Sequence, residues 1–155
     1  MPSVRRSLLE GGYDWNLLAD FDQQRMVFPP EIFATSERPD VVLWSTSLRK
    51  VVLLELTCPA EEGIEAASLR KSAKYEALRA AILEAGWHVS VKPFEVGARG
   101  FVARSTAHLL RSIGFSSREV STLCRSLATV VARCSFALYL ASSTQAWNVP
   151  ELLCL

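Results

Sequence analysis

Asp40 and Glu55 are the residues in this chain whose types and spacing point to chemistry. Each carboxylate sits at one end of an apolar, β-branched run. Asp40 precedes Val41-Val42-Leu43-Trp44, and Glu55 closes Val51-Val52-Leu53-Leu54. An unpartnered charge at the edge of a core is costly. Two such acids on adjacent strands repel each other, and a divalent cation between them resolves the repulsion. Acids that hold a metal are the centre of a phosphodiester-cleaving site, because the metal polarises the phosphate and acidifies an attacking water. Both residues supply the hard oxygen donors that Mg²⁺ prefers, and the carbonyl of Leu56 is a candidate third ligand.

Such a site also needs a cation near the developing charge. Two residues after Glu55 stands Thr57, so the cation must come from elsewhere. On a helical wheel of about 100° per residue, Lys71 and Lys74 fall on the apolar stripe centred on Leu78, with Tyr75 at its border. Lysines normally keep to the solvent face of an amphipathic helix. These two are placed to reach back over the strand ends toward the acids. Arg99, in the glycine-flanked loop Glu95–Phe101, suits a phosphate through its planar fork. Glu31 and Glu95 are further acids within range of such a site. Arg111, Arg118, Arg125 and Arg133 are a candidate basic flank.

The elements that position these groups are legible from pattern. Residues 1–14 read as a loose arm. Trp15–Phe21 is a candidate first strand. Phe28-Pro29-Pro30 forces an extended or turn segment. Asp40–Ser45 and Val51–Thr57 are joined by a link too short for a parallel crossover, which predicts an antiparallel hairpin. A helix is expected from Cys58-Pro59 onward, with Pro59 in its first turn and Gly86 as terminator. Trp87, Val89 and Val91 alternate with polar residues, predicting a strand that returns parallel through a right-handed crossover. Ser105 or Thr106 can cap a short helix ending at Gly114. Ser116 and Glu119 have capping-box spacing and open a long helix to about Ser142. Its circumference is largely apolar, so it is expected to be buried against the sheet or a partner.

Composition sets the outer bounds. The 155 residues are one domain's worth, half hydrophobic, with a net charge of +1. A nucleic-acid partner must therefore be held by a local patch. No apolar run in the sequence reaches about 20 residues, and no signal-peptide pattern is seen, so an intracellular and reducing compartment is expected. Cys58, Cys124, Cys134 and Cys154 lack zinc-ligand spacing and read as free thiols. His88 and His108 have no supporting constellation for a histidine-centred mechanism.

Pro39-Asp40, Glu55-x-Thr57 and Lys71-x-x-Lys74-Tyr75 together resemble the PD-(D/E)XK nuclease superfamily, with the lysine migrated to the following helix. Within that superfamily the chain resembles the restriction-like endonuclease domain of site-specific non-LTR retrotransposons and related mobile-element proteins. The shared stretches are Arg38–Ser45, Glu55–Pro59 and Glu95–Phe101. The resemblance implies an α/β fold with a restriction-endonuclease-like mixed central β-sheet flanked by helices, followed here by a C-terminal helical pair. It implies DNA cleavage with Mg²⁺ or Mn²⁺, metal held by Asp40, Glu55 and Leu56, and catalysis by Asp40, Glu55 and Lys71 or Lys74. Arg38, Tyr75 and Arg99 would contact the nucleic acid, in a nuclear setting. The zinc-knuckle residues of the retrotransposon domains are missing from this stretch. The competing expectation is a nuclease-fold module that binds DNA or assembles, for example as a homodimer through the last helix, without cutting.

Overall fold

The computed structural model describes residues 7–20, 26–63, 66, 69, 70, 73 and 75–142. Four strands form one mixed sheet in the order β1-β2-β3-β4: β1 (Trp15–Ala19), β2 (Val41–Ser45), β3 (Lys50–Thr57) and β4 (His88–Glu95). β1 and β2 are antiparallel, β2 and β3 form the expected antiparallel hairpin, and β4 returns parallel to β3. Among the described residues three α-helices have both ends defined: α1 (Glu76–Glu84), α2 (Arg104–Ser112) and α3 (Ser117–Ser142). The fold is therefore α/β, with a mixed open sheet and a C-terminal helix.

Register and pleat decide what each face carries. Val42 pairs with Leu53, Trp44 with Val51, Leu53 with Val91 and Val51 with Val89. Partners across a ladder share a face, so these residues form one apolar surface. It packs with Leu78 and Ile82 of α1, with Trp87, and with Phe28 and Ile32, whose turn is closed by an Ile32 N–H to Pro29 carbonyl bond of 3.0 Å. α1 and α2 both lie against β4. Alternation continues the apolar face to the ends of the strands, where Glu55, Thr57 and Glu95 lie, Thr57 being paired with Glu95.

Several local expectations differ from what forms. The segment from Cys58 does not begin as an α-helix with Pro59 in its first turn. A 3₁₀ turn occupies Glu61–Gly63, the described residues Ala66, Leu69, Arg70 and Ala73 are helical, and α1 follows a turn at Tyr75. The Pro59 carbonyl instead accepts the Ala98 N–H at 2.7 Å, tying this segment to the glycine loop. α2 is not capped by Ser105 or Thr106: its N-cap is Ala103, and those two side chains turn to Glu95. Residues 7–14 are not loose. Leu8 N–H donates to the Ser112 carbonyl, Lys50 Nζ to the Leu8 carbonyl and Trp15 Nε1 to the Leu9 carbonyl.

The capping box at Ser116 and Glu119 forms as read. Ser116 N–H donates to Glu119 Oε2 at 2.8 Å, and Glu119 N–H to Ser116 Oγ at 3.3 Å. Gly86 closes α1 with φ +82°, and Trp87 N–H reaches back to the Ile82 carbonyl, the left-handed stop that glycine permits. Of the two expected covers for α3, the sheet is not the one that forms. Only Val120, Ala137 and Ala141 of this helix are buried, while Val130, Phe136, Leu138 and Tyr139 face solvent. α1 and α2, and not α3, are the helices that pack on the sheet, against β4. α3 meets the rest of the described molecule chiefly through α2 and the glycine loop.

Candidate active site at the strand ends

The β2–β3 register, carried one residue beyond β2, sets Asp40 opposite Glu55. The two acids interlock through each other's backbone. Asp40 N–H donates to Glu55 Oε1 at 3.2 Å, and Leu56 N–H donates to Asp40 Oδ2 at 2.6 Å. Leu56 thus meets the site through its N–H. Asp40 is half-buried, whereas Glu55 is 1% exposed. One carboxylate is a fixed inner wall and the other opens toward solvent.

Tyr75 completes the inner wall. It is fully buried, its hydroxyl donates to the Arg38 carbonyl at 3.2 Å, and it is also hydrogen-bonded to the Glu55 side chain. Burial first, then the Glu55 contact and the nearby charges of Glu55, Asp40 and Glu37, push the phenol well above its ordinary range. Tyr75 therefore stays protonated and acts as a donor. From sequence it was a nucleic-acid contact at the border of a helical stripe. Here it is buried behind the acids and bonded to Glu55.

Arg38 binds the Asp20 carboxylate, with both oxygens 3.0 Å from the same guanidinium nitrogen. Arg99 pairs with Glu62 at 3.1 Å across two exposed side chains, a contact of little energetic weight that a phosphate could replace. Glu31 accepts from Trp44 Nε1 at 3.0 Å on the surface. Lys71 and Lys74, the expected catalytic cations, lie outside the described residues.

The sequence reading did not foresee how Glu95 is held. It is buried at the end of β4, where Ser105 Oγ donates to Oε2. Thr106 Oγ1 both accepts the Glu95 N–H and donates to the Glu95 carbonyl, each at 2.8 Å. Glu95 Oε1 and the neighbouring Thr57 Oγ1 are buried without a hydrogen-bond partner among the described residues. Cys58 lies at the same end. Partial desolvation first, then Cys134 of α3 and Asp40, raise its thiol pKa.

The donor set fits a hard divalent ion. Mg²⁺ is commonly held by one or two carboxylates, with water and phosphate completing its shell, and Asp40 with Glu55 supplies such a pair. Among the described residues no group of three or more His, Cys, Asp or Glu side chains could hold an ion together. No family model matches the chain, and no curated protein matches it in sequence.

Proposed function

We propose that the strand-end acids form a divalent-cation-dependent, phosphodiester-cleaving centre that acts on DNA, as the PD-(D/E)XK resemblance implies, in a protein of mobile-element origin. The observation that carries this reading is the interlocking of Asp40 and Glu55 at the ends of neighbouring strands, one buried and one open. Asp40, Glu55 and the Leu56 carbonyl would hold Mg²⁺ or Mn²⁺. When bound, such an ion neutralises phosphate charge and acidifies an attacking water. The chain's own residues do the positioning. Leu56 N–H fixes the Asp40 carboxylate, and Asp40 N–H together with Tyr75 fixes Glu55. Lys71 or Lys74 is assigned the charge that develops on the phosphate.

The test is nicking of supercoiled plasmid by purified protein with Mg²⁺ or Mn²⁺. Asp40→Ala and the shape-preserving Glu55→Gln should each lower cleavage by at least about a hundredfold, since metal-assisted charge stabilisation contributes several kcal/mol. Circular dichroism should be unchanged. Cleavage that survives both substitutions sinks the reading.

A second reading has its own support. Thr57 stands where a strand lysine would act, and the end of α3 presents Phe136 and Tyr139 at 61% and 70% exposure. A non-cutting module that binds DNA or dimerises through α3 accommodates both. It requires binding without cleavage in the same assay.

A further inference from the structure

We propose that the outer side of α3 is a binding surface for the sugar-phosphate backbone of nucleic acid, gripped by Arg118, Arg125 and Arg133. It extends the reading above from the cutting site to the grip, and it stands whether or not the acids cut.

From Arg104 to Ser142 the charged residues are five arginines and a single acid, Glu119, with no lysine, although the whole chain carries only +1. A merely solvated helix face mixes signs. A set of arginines suits phosphate, because the planar fork makes paired, charge-assisted bonds. Arg118, Thr122, Arg125, Thr129 and Arg133 follow one another at steps of four, three, four and four, so they run down one side of α3. All five are exposed. The threonine hydroxyls fold back onto the Arg118 and Arg125 carbonyls at 3.1 and 3.0 Å, which leaves the guanidinium groups as the donors of the stripe.

Among the described residues no carboxylate pairs with these three arginines, whereas Arg38, Arg79 and Arg99 each have one. At a rise of 1.5 Å per residue the guanidinium-bearing positions are about 10–12 Å apart and span about 22 Å, roughly six base pairs of duplex. The stripe is carried on a fixed helix. The capping box sets its start, and Gly100 of the loop after β4 lies so close that an added β-carbon would sit 2.6 Å from the Ala128 carbonyl.

An anionic membrane is the rival polyanion, and α3 is long and apolar enough by length and composition to cross one. Arg125 and Arg133 inside the span oppose insertion. A helix lying on a membrane needs an exposed apolar side running beside its basic side. Here Val130 is the one large apolar residue exposed within the arginine span, and Phe136, Leu138 and Tyr139 lie beyond it and point around the helix instead of along it.

The test is fluorescence anisotropy of a short labelled duplex with the full chain in EDTA, so that cleavage does not enter, across a range of KCl concentrations. The variant R118Q/R125Q/R133Q should bind at least roughly tenfold more weakly, and the slope of log affinity against log salt should shrink by about 2–3. The lysine variant R118K/R125K/R133K should keep most of that slope. Circular dichroism should show the same helix content in all three proteins. Unchanged affinity and slope in the glutamine variant overturns the proposal. So does loss of binding to phosphatidylserine vesicles while duplex binding is kept. Failure to cut plasmid with duplex binding intact counts against the nuclease reading and leaves this surface standing.

Discussion

Asp14 accepts hydrogen bonds from the Ser45 and Ser47 hydroxyls and from the Ser47 N–H at 2.8 Å, which fastens the first strand to the β2–β3 turn. The Ser45 hydroxyl bond, the Ser47 hydroxyl bond and the Ser47 N–H bond hold its carboxyl well below the usual carboxylate range. A lowered folded-state pKa adds stability above the ordinary value, and that stability is lost as pH falls toward the folded value. Asp14→Asn should therefore lower the thermal midpoint at neutral pH. The gap to the unsubstituted protein should narrow steadily below about pH 4. Thermal melts across pH check this, and a gap that stays constant or widens in acid contradicts it. Asp40 and Glu55 were readable as residues because each interrupts an apolar run. Their hydrogen bonds were not, because a bond from Tyr75 to Glu55 depends on how a later helix lands on the sheet.

The hairpin, the Gly86 stop and the Ser116–Glu119 box could be read at the level of elements, since each is set by residues a few positions apart. The start of α1 could not. A stripe of apolar residues from Ile64 to Ala85 continues the helical period, and Ala66, Leu69, Arg70 and Ala73 are helical, yet the chain turns at Tyr75 before α1 begins at Glu76. Periodicity reports which side is buried and says nothing of where the backbone must bend to bury it. Gly100 is an element-scale joint of the same kind. Its φ of +93° and its approach to the Ala128 carbonyl leave no room for a side chain. Gly100→Ala should cost at least about 1 kcal/mol from the left-handed backbone alone, and more from the clash. It should loosen α3 from the loop, so Cys134 should react faster with a thiol reagent. Unchanged reactivity and stability would show that the loop does not hold the helix.

Across the whole molecule the sheet is protected unevenly. β2 and β3 are paired on both sides, and Val42, Val51, Val52 and Leu53 are fully buried. β1 and β4 are edges, and Pro93 within β4 suits a strand with an open side. Amide hydrogen exchange should be slowest in β2 and β3 and faster along α3 over its exposed C-terminal turns, because local opening there exposes little buried apolar surface. Exchange in α3 as slow as in β3 would mean that the helix has a cover in solution that this fold does not supply.

What the sequence determined by itself is what short-range pattern encodes: a hairpin with an acid at each outer end, a helix-linked return strand, and a capped final helix whose charges are three arginines and one acid. Pattern suffices there because strand alternation, caps and turns are decided within a few residues. The tertiary structure alone decided that Tyr75 backs Glu55, that β4 brings Glu95 beside Thr57, and that the 7–14 arm binds the end of α2. It also left α3 in solvent although its composition suits a core. Those outcomes depend on which distant surfaces meet first and how much of the sheet remains uncovered. Apolar residues signal that they favour burial, but they do not specify the partner.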